Sequence, residues 1–446
     1  MTPSKPTHEM TRSAPPVNPW LALTILCTAN FLVLLDTTIV NTAAPTIMVS
    51  LDAGIDQFLW VLNGYLLAFA ALLVNFGRLG DVLGPRTVFV AGLGLFTIAS
   101  ALCGLAQTPE QLIAYRVLQG VGAAALVPQA LVLIAAVFPA QRRGPAFGVF
   151  TAVAGIAAVS GPILGGVLIA QAGWQSIFFL NLPVGVAALA LAYRWLPERR
   201  LRRAPRFDLV GMLLAAAGLS GIVYGLIEGE RHAWGTVAGP ITIPGIFAAA
   251  VVLLVGFGLW ERAQAEPAIP PRLFRHRNFS IAAAITFIVS FSLYGLLLVF
   301  VIQTQTLYGM SPLMSGVAAL PWTLSLSALA PVAGRLADRI GGRILLVIGL
   351  ACYALGVFGV GFLPTASSTW ASFVLPLIIV GVGQGLVIAP ATTEAMRLIP
   401  PHWAGAASGV LNTARQLGAA LGVAVVGAVL QNRLAASLGA QSPVGA

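Results

Sequence analysis

Thirteen long apolar runs, separated by short polar or charged connections, make up most of the 446-residue chain. They cover residues 20–49, 58–77, 88–106, 111–138, 144–172, 176–196, 208–228, 241–260, 280–306, 312–334, 344–363, 370–398 and 404–430. Roughly 20 consecutive apolar residues cross the hydrocarbon layer as a helix. Within that layer only helices and closed barrels satisfy every backbone N–H and C=O. The pattern therefore predicts an all-α polytopic membrane protein with about 13 transmembrane helices.

The connections alternate in charge. Lys5 and Arg12 precede the first run, and Asp52 and Asp56 follow it; Arg78 and Arg86 follow the second, and Glu110 the third. Arg142 and Arg143, the stretch PERRLRRAPRF at 197–207, Arg272, Arg275 and Arg277, and Arg335, Arg339 and Arg343 fall on one side. A Lys/Arg excess marks the cytoplasmic side, which predicts a cytoplasmic N-terminus.

An internal repeat groups the runs. GRLGDVLGPR at 77–86 returns as GRLADRIGGR at 334–343, and Pro139, Gly144 and Gly148 return as Pro400, Gly405 and Gly409. Two homologous halves explain this, with two helices inserted between them. The expected organisation is a cytoplasmic tail at 1–19, an N-terminal six-helix bundle at 20–196, a basic linker at 197–207, two inserted helices at 208–260, a cytoplasmic connection at 261–279, a C-terminal bundle at 280–430 and a tail at 431–446. The repeat also calls for a partner to the sixth run near 437–457, where the chain instead reaches Ala446 through RLAASLGAQSPVGA, so the C-terminal bundle is expected with five spans and its sixth absent.

Composition narrows the function. The chain is 58% hydrophobic and 9% charged, with a mean hydropathy of +0.92, which excludes a soluble domain of this size. Its net charge of +10 comes from basic clusters flanking apolar runs, so no nucleic-acid partner is expected. Cys27, Cys103 and Cys352 lie inside apolar runs without metal-ligand spacing, and His8, His232, His276 and His402 lie in connections or near run ends. No nucleophile–histidine pair, metal cluster or phosphate loop emerges. The expectation is a non-enzyme with no cofactor and no metal.

Charges inside the runs are the candidate chemistry, because an ionised Asp or Arg at mid-helix costs about 2.5–3.5 kcal/mol to insert. Asp36 stands halfway along the first run in LLDTTIVNTAAP; Asn30, Thr37 and Asn41 share one face of that helix. Asp36 is either a proton carrier or the cap of a kink. Arg116, with Gln119 and Gly120, falls in the fourth run, and Arg415 with Gln416 about eleven residues into the thirteenth. By the repeat offset their counterparts are Leu377 and Ala154, so each charge is present in one half only. Arg415 lines a cavity or belongs to a buried pair, and Arg116 and Arg415 are the charges expected to converge on Asp36. Asn63, Gln129, Asn181, Gln303 and Gln384 are either cavity-lining or helix–helix contacts. Glu394 and Arg397 form an i,i+3 pair, and Glu228 and Glu230 are expected in solvent at the outer face.

Six stretches carry a family resemblance over most of the chain: LLDTTIVNTAAP, GRLGDVLGPR, YRVLQGVGAA at 115–124, GIAAVSGPILGGVL at 155–168, GWQSIFFLNLPVG at 173–185 and SGVLNTARQLGAALGVAVVG at 408–427. The sequence resembles the major facilitator superfamily, and within it the fourteen-span drug:proton antiporters. The resemblance implies two pseudo-symmetric six-helix bundles around a central cavity opened alternately to each side, in a bacterial cytoplasmic membrane. It implies that Arg116 takes part in proton coupling with Asp36, and that Gly161, Pro162, Gly165 and Gly166 form the antiporter helix motif. It also implies that Gly77, Arg78, Gly80, Asp81, Gly84 and Arg86, with their copies Gly334, Arg335, Asp338, Gly341 and Arg343, act as a conformational latch out of reach of substrate. Asn63 stands where relatives exporting divalent organic cations place an acid.

The expected function is proton-coupled export of amphipathic small molecules by a monomer, substrate binding from inside expelling a proton from Asp36. The alternatives are a dedicated carrier of one metabolite and a non-transporting membrane sensor.

Overall fold

A computed structural model describes residues 18–139, 142–198, 208–229, 231–264, 271–304, 308–310, 312–362, 370–400 and 403–440. The expected N-terminal tail up to residue 17, most of the basic linker, Glu230, His402 and the end of the C-terminal tail lie outside the described residues. In chain order the helices are α1 (Pro19–Thr42), α2 (Ala44–Ser50), α3 (Ile55–Leu83), α4 (Pro85–Gly104), α5 (Pro109–Val137), α6 (Arg143–Ala172), α7 (Ser176–Phe179) and α8 (Asn181–Trp195). Then follow α9 (Leu209–Glu228), α10 (Ile243–Ala263), α11 (Arg277–Ile302), α12 (Pro312–Ala318), α13 (Leu320–Ile340), α14 (Gly342–Phe362), α15 (Val374–Arg397) and α16 (Ala404–Ala440). Among the described residues, 11 helices are long and apolar enough to cross a membrane; α6, with 30 residues, and α13, with 21, run alongside them. Every apolar run of the sequence thus contains a long helix or a helix pair. The one sheet among the described residues is a short hairpin, β1 (Thr236–Ala238) with β2 (Ile241–Thr242), between α9 and α10.

Local chemistry sets the helix ends. Asn18, Thr108, Asp208 and Thr242 cap α1, α5, α9 and α10 by accepting from amides that the first turn leaves unpaired. Prolines at the first turns of α1, α5 and α10 lose nothing by lacking an N–H. The first run is not one span as expected: it breaks at Ala43, where Pro45 starts α2 instead of continuing the hydrogen-bond ladder of α1. Gly84 (φ 99°) and Gly341 (φ 82°) hold equivalent places in the repeat, and each turns the chain directly from one membrane helix into the next.

Helices α1 and α3–α8 pack as one bundle and α11–α16 as the other, joined along two seams where glycines let backbones touch. At the α6–α13 seam a Cβ on Gly148 would lie 2.6 Å from Pro331 Cα, and Gly144 and Gly334 abut backbone to backbone. At the α3–α16 seam a Cβ on Gly77 would lie 2.5 Å from the Gly405 carbonyl oxygen and 3.2 Å from Gly409 Cα. The inserted pair α9–α10 lies against α3 and the edge of α16: Asn75 Nδ2 donates to the Met212 carbonyl at 2.9 Å, Trp60 meets Tyr224 at 5.9 Å, and Leu219 packs with Ala71, Val74, Leu254 and Leu417. Glu228 corrects an expectation. It is 3% exposed, accepts from Arg231 Nη1 at 3.2 Å and lies 3.4 Å from His232 Nε2, because the turn after α9 folds back on the helix end, the His232 and Trp234 amides donating to the Glu228 and Gly229 carbonyls.

Candidate functional site

Asp36 sits on α1 with no exposed surface, and Arg116 reaches it from α5 with 1% exposure. The Arg116 guanidinium donates through Nη1 to Asp36 Oδ2 and, at 2.7 Å, to Gln119 Oε1; its Nε donates to the Val61 carbonyl of α3 at 3.2 Å. Gln119 Nε2 and Asn181 Nδ2 donate to Asp36 Oδ1 at 2.9 and 3.3 Å. Asn181 also donates to Ser100 Oγ at 3.0 Å, which donates to the Phe178 carbonyl at 2.9 Å. The guanidinium lies over the Tyr65 ring, 4.2 Å from its centroid. A buried ion pair tolerates loss of water only when its remaining lone pairs and protons are matched, and here α1, α3, α4, α5, α7 and α8 each contribute to that matching. Gly120 makes the approach possible, since a Cβ there would lie 2.5 Å from the Tyr65 carbonyl oxygen.

This geometry redistributes the candidates. Gln119 and Asn181, expected along an open cavity, are spent on Asp36 inside the N-terminal bundle and are buried. Gln384 is likewise a helix–helix contact, accepting from Trp322 Nε1 at 2.7 Å, and Gln129 donates to the Phe76 carbonyl at 2.7 Å. Asn30 is buried on α1. Thr37 donates to the Leu34 carbonyl at 2.7 Å, and exposed Asn41 donates to the Thr37 carbonyl at 3.1 Å. Asn63, Gln303 and Gln416 are half-buried. Arg415 does not converge on Asp36: it stands on α16 in the opposite bundle and donates to Asn412 Oδ1 at 2.9 Å. Sequence reasoning missed Tyr65, Ser100 and the Val61 carbonyl, which carry no charge and have no spacing that links them to Asp36.

The duplicated turns form two crossed contacts. Asp81, 6% exposed, accepts from the Gly405 and Ala406 amides at 2.8 and 3.1 Å, at the start of α16 in the other bundle. Asp338 reciprocates, accepting at 3.2 Å from the Gly144 amide at the start of α6. Each carboxylate meets unpaired amides and the positive end of a helix dipole. Neither arginine of the first turn pairs with Asp81: Arg78 is buried, and Arg86 donates to the Tyr193 carbonyl and stacks on its ring at 5.3 Å. Gly80 packs against Gln129. Arg335 and Arg343 are exposed. In α6, a Cβ on Gly161 would lie 3.1 Å from the Ile39 amide nitrogen and one on Gly165 2.9 Å from Ile39 Cγ1, so both hold α1 close, whereas one on Gly166 would meet nothing within 4 Å. The Pro162 side chain lies outside the described residues.

A cavity of about 410 Å³ opens between α1 and α6, lined by residues that include Trp20, Thr24, Phe31, Val153 and Ile156. None of the polar candidates lines it, because its walls are almost wholly apolar.

The family description Major Facilitator Superfamily matches residues 26–423. The chain is 37% identical over 409 residues to "Multidrug resistance protein Stp" of Mycobacterium tuberculosis, covering 92% of this chain and 75% of the relative. It is 35% identical over 417 residues to "Tetracenomycin C resistance and export protein" of Streptomyces glaucescens, covering 93% and 77%. Among solved structures it superposes on the human organic anion transporter MFSD10 with a TM-score of 0.65 over 93% of each chain, at 15% identity, a likeness of fold alone. Two helix bundles joined by crossed contacts of a repeated turn, eleven apolar helices long enough to cross a membrane among the described residues, and a match from residue 26 to residue 423 make the chain a multi-pass membrane protein belonging to the Major Facilitator Superfamily.

Proposed function

We propose that the protein exports amphipathic small molecules across the cell membrane in exchange for protons, acting as a monomer by alternating access. The observation that carries this reading is the buried Asp36–Arg116 pair, a charge pair that packing alone does not require, in a chain similar to proteins named for drug resistance and export. The Lys/Arg bias supports a cytoplasmic N-terminus and repeated turns on the cytoplasmic side. The crossed Asp81 and Asp338 contacts then close the cytoplasmic side, leaving an outward-directed state.

In this state Asp36 is wholly buried, so substrate does not touch it. Coupling therefore runs through its partners. A proton arriving on Asp36 cancels the charge that holds Arg116 and frees the guanidinium to move relative to Val61 and Gln119. That shift is the switch between states, and loss of the proton to the cytoplasm resets it. Everted membrane vesicles carrying the protein, given an inward-acidic pH gradient and a panel of fluorescent dyes, test the reading. Uptake of at least one dye that collapses when the gradient is discharged is expected. Uptake unaffected by discharge, or no uptake of any dye, refutes it.

A further inference from the structure

Among the described residues, one carboxylate and two guanidinium groups lie at mid-depth in the membrane helices, Asp36, Arg116 and Arg415, and the structure divides them unequally. Asp36 is fully matched by Arg116, Gln119 and Asn181 within its own bundle. Arg415 has no carboxylate partner among the described residues; its one side-chain partner is the neutral Asn412. A half-buried guanidinium without a counter-ion is costly, and the chain keeps it in the middle of a membrane helix.

Its direction follows from what α16 packs against. On one flank Gly405 and Gly409 touch α3, and on the other Gly418 and Gly422 touch α11 at the carbonyls of Phe287 and Phe291. Leu417, on the far side, joins the cluster with Leu219 of α9. At about 100° per residue, Ser408, Asn412 and Arg415 share the remaining stripe, between the two flanks and opposite Leu417. Ser408 shows where that stripe points, since its hydroxyl donates to the Pro128 carbonyl of α5 in the opposite bundle at 2.7 Å. Arg415 lies seven residues further along the helix, about 10 Å deeper than this contact. The guanidinium therefore faces the space between the bundles, beyond the cytoplasmic closure, with the phenol of Tyr294 on α11 within electrostatic reach.

We propose that Arg415, oriented by Asn412, is an anion-recognition site, and that the transported molecules carry a carboxylate, phenolate or similar acidic group on an apolar body. This deepens the export reading and rests on it for the word "transported". The recognition itself stands on binding. Asn412 fixes one Nη and leaves the rest of the guanidinium fork for the ligand, the geometry that suits a planar carboxylate.

The test is equilibrium binding to the purified full chain in lipid nanodiscs, followed by fluorescence anisotropy of fluorescein, an anion, and rhodamine 6G, a cation. The wild type is expected to bind fluorescein more tightly, and 2-naphthoate, but not 2-naphthamide, is expected to displace it. Arg415→Gln should weaken fluorescein binding roughly 10- to 100-fold, the worth of one or two hydrogen bonds to a charged group. It should leave rhodamine 6G binding unchanged or tighter, and Arg415→Lys should restore part of the loss. Because the naphthoate comparison uses the wild type alone, misfolding of a variant does not remove the test. Preference for the cation, equal displacement by acid and amide, equal loss of both dyes in Arg415→Gln, or absence of binding overturns the assignment. Anion binding without gradient-driven flux in vesicles overturns the export reading instead and leaves the anion site standing.

Discussion

The crossed contact at Asp81 gives the most quantitative prediction. Its carboxylate accepts two backbone amides from the first turn of α16 at 2.8 and 3.1 Å while 6% exposed. Hydrogen bonds to a charged group contribute about 1.5–3 kcal/mol each, and charge-assisted bonds are roughly twice as strong as neutral ones. Asp81→Asn keeps the shape and one acceptor oxygen but removes the charge and its attraction to the helix dipole, worth about 0.3–1 kcal/mol. The state closed at these contacts should lose about 2 kcal/mol, which is roughly a 30-fold change in its ratio to the open state. A population of about 99 closed to 1 open would fall to about 3 to 1. Leu83 and Ile340 occupy equivalent places at the ends of α3 and α13, in different bundles, and are 47% and 51% exposed. Spin labels there, in a background with Cys352 replaced, report the separation by electron–electron distance measurement. Asp81→Asn should move weight toward the longer distances, Asp338→Asn should do so less, because it loses a single bond of 3.2 Å, and the double variant more than either. A distance distribution unchanged by Asp81→Asn and by the double variant refutes the latch.

Other consequences are equally direct. Gly144→Ala and Gly334→Ala force a Cβ into the facing backbone at the α6–α13 seam and should each cost about 1–3 kcal/mol, read as lower resistance to unfolding in detergent; Gly166→Ala, which meets nothing, should be neutral. Arg116→Lys keeps the charge but loses the fork that spans Asp36, Gln119 and Val61, so gradient-driven dye uptake should fall at least tenfold, whereas uptake at the wild-type rate would mean that charge alone suffices. Asn75→Ala removes the bond to the Met212 carbonyl, worth about 0.5–1.5 kcal/mol, and should speed hydrogen exchange of α9 amides while leaving α11 unchanged.

The membrane helices were legible because hydrocarbon imposes a length and a polarity on every span, and the repeat revealed the two-bundle plan from ten residues at each turn. Asp36 and Arg116 were legible as costly charges lacking counterparts, and Asp81 as an acid in a glycine-framed turn. What the sequence left open was which partners those charges take. Gln119 and Asn181 have the same polarity whether they line a cavity or close a buried network, and only the approach of α5 to α3 at Gly120 decides between the two. Arg415 was expected beside Asp36 because depth along a helix can be counted, whereas the bundle it faces depends on α16 packing along α3 and α11. The apolar cavity between α1 and α6 had no polar signal to announce it. Pro45 marked the break after α1, and a hydropathy run passes over it.

The proposed exchange of a proton on Asp36 for a substrate across the membrane can be followed directly. Proteoliposomes of the purified full chain, with a pH-sensitive dye trapped in the lumen, measure both fluxes together when a transported dye is added outside without any imposed gradient. Dye entry through wild-type protein should be matched by protons leaving the lumen, and Asp36→Asn should lose both. Dye entry with no change in lumenal pH, or undiminished coupled exchange by Asp36→Asn, contradicts it.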